Sequence, residues 1–298
     1  MSSEEKIRLD LDAGKPVPEH STESGGLARD YVELLKASLT GGVHQDVYVA
    51  RSAYTGSRVR LHRWLAELAC AALRKRDWQI VRRTPPEAIA YGHVRPLSAE
   101  TMAGTARLDN LQACIEHVVN EDVPGDLIET GVWRGGASIF MRGVLRAMAV
   151  GDRRVWVADS FRGLPKPSAD RFPADAGDEH HRVPELAVAV QTVRENFRRY
   201  GLLDDQVVFL EGWFGDTLPG LRDEHWALIR LDGDMYESTM DALESLYPQL
   251  SPGGFVVVDD GALPACRAAV DDFRDRHSIA EPIRGIDWTG IFWQRART

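Results

Sequence analysis

The chain has 298 residues, of which 44% are hydrophobic, and carries a formal net charge of -9 at pH 7. That is enough apolar material for one large core plus a smaller appendage, which excludes fibrous and disordered classes. The acidic balance argues against nucleic acid or an anionic membrane as a partner.

In chain order, residues 1–27 are polar, rich in Glu, Ser, Gly and Pro, and lack any period, so a flexible tail is expected. Tyr31, Leu34 and Leu35 then form an apolar stripe that predicts a helix over 28–38. A second helical stretch is predicted between residues 59 and 83, its arginine-rich face reading as a solvated surface rather than a nucleic-acid contact. Pro85, Pro86 and Pro96 punctuate a linker. Residues 28–95 are therefore expected to be a helical N-terminal extension, and 96–298 the main domain.

From about Ala99 the pattern alternates between strand and helix, beginning with a helix striped by Leu108, Leu111, Ile115 and Val118. Strands are predicted over 126–130, 154–159, 206–211, 227–232 and 255–259, with helices over 137–149, 185–200, 239–246 and 265–277. Residues 282–293 read as a closing antiparallel pair turned at Asp287-Trp288-Thr289-Gly290. Such alternation implies an α/β fold, a doubly wound and mostly parallel sheet covered on both faces.

Two of these strands finish in acid. The apolar run before Asp232-Gly233-Asp234 and the run Phe255-Val256-Val257-Val258 before Asp259-Asp260 have the composition of buried parallel strands whose tips face a ligand crevice. If they are neighbours, about 4.8 Å apart, several carboxylates meet. A pair of them at about 4 Å costs about 4 kcal/mol at an effective dielectric near 20. A hard cation would relieve that repulsion.

The first strand, ending in Glu129-Thr130, breaks into Gly131-Val132-Trp133-Arg134-Gly135-Gly136. This is not the GxGxxG dinucleotide fingerprint, and an acid before the turn would repel a pyrophosphate. S-adenosylmethionine, cationic and without phosphate, suits it better than NAD. Asp159 ends the second strand, where such sheets hold a ribose diol, although a turn or cap residue would look the same. Trp213 and Phe214 follow the third strand and read either as core aromatics or as walls for an adenine ring.

Several segments carry a resemblance to a known family. They are Tyr31 through Thr40, Gly125 through Gly136, Asp159-Ser160-Phe161-Arg162-Gly163-Leu164-Pro165, Gly212-Trp213-Phe214, Leu231 through Thr239, and Gly253 through Asp260. Together they cover most of the chain after about residue 96, and the chain resembles the macrocin O-methyltransferase family, the metal-dependent deoxysugar methyltransferases of antibiotic biosynthesis. The resemblance implies a class I, Rossmann-like S-adenosylmethionine-dependent methyltransferase acting on a small glycosylated substrate, and it favours a homo-oligomer. It implies Mg²⁺ held by Asp232, Asp259 and Asp260, with Asp234 as general base. It places the cofactor against Thr101, Met102, Glu129, Thr130, Gly131, Trp133, Ser138, Asp159, Ser160, Arg162, Gly212, Trp213, Phe214 and Asp232. Oxygen-only ligands agree with Mg²⁺.

The polar segment Asp175-Ala176-Gly177-Asp178-Glu179-His180-His181-Arg182 has the length and character of a lid. His180 and His181 either contact the sugar or form a solvated pair. The stretch 43–94 departs from compact members of the family and would shape the acceptor pocket or a subunit interface.

Other activities fit less well. A catechol or phenol methyltransferase can share this metal geometry, but no lysine follows Asp232 within the next ten residues. A nucleotide-sugar oxidoreductase wants GxGxxG and a Tyr-xxx-Lys pair, and neither is evident. A non-catalytic binding protein would not need all four aspartates. Cys70, Cys114 and Cys266 are widely spaced without CxxC, which speaks against a disulfide framework or zinc. With no apolar signal core and no window of 18 apolar residues, a cytoplasmic protein is expected.

Overall fold

A computed structural model of the chain describes residues 23–44, 47–50, 70, 72–73, 75–76, 78, 80–85, 87–94 and 96–297. Helix α1 spans Glu23–Leu39, beginning before the stripe that predicts it. Strands β1 (Val47–Ala50) and β2 (Val81–Thr84) pair antiparallel, Val47 opposite Thr84. The helix expected up to residue 83 therefore closes on a strand instead. β-Branched Val81 and Thr84 suit an extended partner, and Pro85 follows them. Residues 59–69 of that expectation, and 1–22 of the tail, lie outside the described residues.

The remaining elements follow as α2 (Glu87–Ala90), α3 (Thr105–Asn120), β3 (Asp126–Thr130), α4 (Gly136–Ala147), β4 (Val155–Asp159), α5 (Val190–Arg199) and β5 (Val207–Glu211). Then come α6 (Phe214–Thr217), β6 (Trp226–Leu231), α7 (Tyr236–Leu246), β7 (Leu250–Val258), α8 (Pro264–Arg276), β8 (Arg284–Gly285) and β9 (Ile291–Gln294). The five strands predicted for the main sheet are all present, four of them within one residue of their expected ends, while β7 begins five residues before residue 255. Helix α5 starts later than residue 185, because Pro184–Leu186 turns as a 3-10 helix first.

Seven strands form one sheet in the order β5-β4-β3-β6-β7-β9-β8. β3 to β7 are mutually parallel, and β9 pairs antiparallel with β7 and with β8, giving the expected closing pair. Alternation along each strand splits the apolar residues between two cores. Leu127, Val155 and Val157 face one side, where α1, α3, α4 and α5 pack through residues such as Leu35, Leu111, Phe140 and Phe197. Ile128, Trp156, Val256 and Val258 face the other, against Leu243 and Leu246 of α7 and Val270 and Phe273 of α8. Val32, Leu35 and Leu39 belong to the same apolar cluster as α4, so α1 is built into the core. No helix among the described residues is long and apolar enough to cross a membrane.

Strand order reverses between β3 and β4 on one side and β6 on the other, and that is where a doubly wound sheet opens a crevice at its carboxyl ends. The site lies there.

Candidate active site

The two acidic tips are neighbours. Leu231 pairs with Val258, and the Asp259 N–H donates to the Leu231 carbonyl at 2.8 Å, so Asp232 and Asp259 leave the sheet side by side. One carboxylate oxygen from each of Asp232, Asp259 and Asp260 lies within 4.8 Å of the others. Asp234 follows on a turn with φ +59°, a conformation that Asp tolerates better than most residues, and its N–H donates to Asp260 Oδ2 at 3.2 Å.

Such a cluster needs positive charge, and two arginines supply part of it. Arg230, buried next to the carboxyl end of β6, donates through Nη1 to Glu129 at 2.5 Å and Asp232 at 2.8 Å, and through Nη2 to Asp259. Arg107 of α3 donates to the other Asp259 oxygen, to Asp287 at 3.0 Å and to the Met102 carbonyl at 3.3 Å. Burial works against the Arg230 charge, but Asp259, Asp232 and Glu129 more than offset it and raise its pKa well above the usual value. Two guanidinium groups still do not neutralise the five carboxylates of Glu129, Asp232, Asp259, Asp260 and Asp287. Burial and the Asp259 charge push Asp232 up to about 7, and burial with Asp234, Asp232 and Asp259 raises Asp260 well above the carboxylate range. Three converging carboxylates short of positive charge form a donor set that fits a hard divalent cation such as Mg²⁺.

Beside this cluster opens a cavity of about 500 Å³. Of the residues expected to hold the cofactor, Met102, Gly131, Trp133, Asp159, Ser160, Gly212, Trp213, Phe214 and Asp232 line it, and so does Asp234. Gly131 has φ +86°, and a Cβ there would overlap the Asp232 carbonyl oxygen, so only glycine lets the β3 turn lie against the β6 tip. Asp159 accepts the Val132 N–H and the Phe161 N–H, each at 2.7 Å, which ties the first two turns together on the cavity wall. Burial raises its pKa, with those backbone bonds opposing. The Trp133 indole donates to the Glu185 carbonyl at 2.8 Å and so connects the glycine turn to the β4–α5 segment.

Other expected residues stand elsewhere. Glu129 is turned inward, where it accepts from Ser138 and Arg230, and burial pushes it up to about 7. Thr130 and Ser138 are buried off the wall, Thr101 accepts the Ala103 N–H at 3.0 Å, and Arg162 is exposed. Asp259 and Asp260 are not on the cavity wall itself. His180 pairs with Asp178 at 2.6 Å, and neither it nor His181 lines the cavity.

The wall also includes Leu164, Arg171, Leu186, Asp216, Glu237 and Asp241, which the sequence did not single out as ligand residues. Arg230 and Arg107 were equally missed. Arg230 left a signal, since a charge inside Trp226-Ala227-Leu228-Ile229-Arg230-Leu231 must find partners.

Known proteins bear on this geometry. The chain is similar to 8-demethyl-8-(2,3-dimethoxy-alpha-L-rhamnosyl)-tetracenomycin-C 4'-O-methyltransferase of Streptomyces olivaceus, 51% identical over 271 residues, 90% of this chain and 93% of the relative. Mycinamicin III 3''-O-methyltransferase of Micromonospora griseorubida is 53% identical over 213 residues, 70% of this chain and 84% of the relative. The solved structure of the O-methyltransferase NovP superposes with a TM-score of 0.78 at 42% identity, covering 91% of this chain and all (100%) of that one. The family described as Macrocin-O-methyltransferase (TylF) matches residues 28–295. The chain belongs to the macrocin O-methyltransferase family and is an S-adenosylmethionine-dependent O-methyltransferase.

Proposed function

We propose that the chain methylates a sugar hydroxyl of a glycosylated natural product, with Mg²⁺ held by Asp232, Asp259 and Asp260 and with Asp234 as general base. The convergence of the three carboxylates next to a cavity that has Asp234 on its wall is the observation that carries this reading. The relatives named for rhamnosyl-tetracenomycin and mycinamicin methylation support the acceptor class.

When bound, S-adenosylmethionine supplies an electrophilic methyl group and Mg²⁺ makes an acceptor hydroxyl more acidic. The residues of this chain do the rest. Asp234 takes the hydroxyl proton as the oxygen attacks, a role that contributes about 10²–10⁴-fold where geometry is right. Asp260 holds the Asp234 backbone, and Arg230 and Arg107 hold the Asp259 carboxylate in place. Trp213, Phe214 and Trp133 line the cavity with apolar surface, which favours a step that brings opposite charges together.

Purified protein incubated with S-adenosylmethionine and a panel of rhamnosylated and deoxyglycosylated aglycones, with and without EDTA, tests the reading. The expected result is one methyl group added to a sugar, abolished by EDTA and restored by Mg²⁺. Turnover indifferent to chelation would remove the metal from the mechanism.

A further inference from the structure

The segment joining β4 to α5 lines part of the cavity, and besides the Trp133 bond to Glu185 it is fastened to α7 through Asp175. Asp175 is 1% exposed, although its neighbours Ala174-Asp175-Ala176-Gly177-Asp178 belong to a polar loop. Its Oδ1 accepts the Tyr236 N–H at 2.6 Å and its Oδ2 the Glu237 N–H at 3.0 Å. These are the first two residues of α7. That helix has Met235 at its own capping position, with no side-chain cap bond, so the acceptor comes from a residue about 60 positions upstream. Phe172 packs on Tyr236 with ring centroids 5.9 Å apart, the Arg171 guanidinium lies 5.1 Å from the Phe172 ring centroid, and Arg171 is one of the cavity-lining residues.

The same short turn carries Asp234. Its N–H is held by Asp260, and the next residue, Met235, donates its N–H to Gly233 at 2.6 Å. Asp234 thus sits on a strained turn suspended between two carboxylates, Asp260 on the metal side and Asp175 on the side of the β4–α5 segment. Two adjacent N–H groups at the positive end of the helix are each matched by one carboxylate oxygen of Asp175, whereas Asn would offer a single acceptor oxygen and no charge.

We propose that Asp175 is a positioning residue for methyl transfer: by latching residues 160–189 onto the N-terminus of α7 it fixes where Asp234 stands and seats Arg171 in the cavity wall. The proposal rests on the reading of Asp234 as general base. A plain helix cap would affect folding alone, whereas a latch affects turnover in a folded, cofactor-binding protein.

The test uses the full chain as Asp175→Ala and Asp175→Asn, with the Asn variant carrying the measurement if the Ala variant misfolds. Hydrogen exchange in the presence of S-adenosylhomocysteine is expected to become at least tenfold faster in peptides covering 232–238 and 171–183. S-adenosylhomocysteine affinity by calorimetry and KM for S-adenosylmethionine should stay within twofold. On the glycoside that the acceptor screen identifies, kcat should fall at least tenfold for Asp175→Ala, with Asp175→Asn between it and wild type. Unchanged exchange in those peptides overturns the latch, whatever the acceptor. Faster exchange with kcat within twofold of wild type overturns the positioning role and leaves a cap. Cofactor affinity falling in step with kcat makes the residue merely structural and also overturns it. A wild-type chain inactive on every glycoside sinks the proposed function instead, while exchange still decides the latch.

Discussion

Four aspartates crowd the site, and their hydrogen-bond partners differ. Asp259 is held by both Arg230 and Arg107, whereas Asp234 lines the cavity outside the cluster of Asp232, Asp259 and Asp260. Asp234→Asn is therefore expected to keep S-adenosylhomocysteine and Mg²⁺ affinity within a few-fold while kcat drops about 10²-fold or more. Asp260→Asn should weaken Mg²⁺ first. Calorimetry beside steady-state kinetics separates the two, and equal loss of Mg²⁺ affinity in both variants would mean the base is misassigned. Asp259→Asn is a poorer probe, because it strips two buried guanidinium groups of a partner and costs stability, typically about 3–5 kcal/mol for a broken buried pair.

Glu129 belongs to the same scale. Its carboxyl, pushed from the ordinary 4.5 up to about 7 by burial, keeps its proton in the folded chain over a range where the unfolded chain has released it. A raised acid pKa stabilises below the unfolded value, and that contribution is lost as pH rises from about 4.5 to about 7. Stability in EDTA should fall across that window by up to about 3 kcal/mol, following about 1.4 kcal/mol per unit. Glu129→Gln should lessen the slope of this part of the profile in denaturant titrations at pH 5 and pH 7, the remainder coming from Asp232, whose carboxyl is pushed up to about 7 as well. An unchanged slope would show that Glu129 does not titrate there.

Among elements, the decisive relation is between β3 and β6. The register that sets Thr130 beside Leu231 brings the Gly131 turn against the Asp232 backbone, and the Asp232 N–H donates to the Thr130 carbonyl at 2.8 Å. Gly131→Ala adds a side chain at positive φ, costing roughly 1–3 kcal/mol by itself, and collides with a carbonyl that cannot swing away. The expected outcome is a loss of more than about 2 kcal/mol in unfolding free energy, together with weaker S-adenosylhomocysteine binding. A variant as stable as wild type would show that the two tips separate freely.

Strands were easy to read because each is a short apolar run bounded by Gly, Pro or Asp, and the acids at their tips stand out against that background. What a strand residue faces was harder. Glu129 reads as a cofactor ligand because it precedes the glycine turn, yet it lies on the inner side of the strand's alternation, toward Arg230. The β1–β2 ribbon was missed because its arginines mimic the polar face of a helix, and the pairing partners lie more than thirty positions apart. The Asp175 cap was invisible for a related reason: capping rules look one residue before a helix, and this cap comes from another element.

At the scale of the molecule, the family and its sheet were legible in the words of the sequence, whereas the arginine clamp on Asp259 was not. No local pattern links Arg107 to an aspartate 152 positions away or to Asp287, 180 positions away. Those separations carry a consequence for folding. Contacts between distant parts of a chain form late, since closing a long loop loses chain entropy before the contact offsets it. Asp259 is squared up only when α3, from the first half of the domain, meets both β7 and the turn that precedes β9. The carboxylate cluster is therefore expected to be among the last features to assemble during synthesis. A chain interrupted before Asp287 would hold its sheet nucleus but leave Arg107 with one anionic partner in place of two.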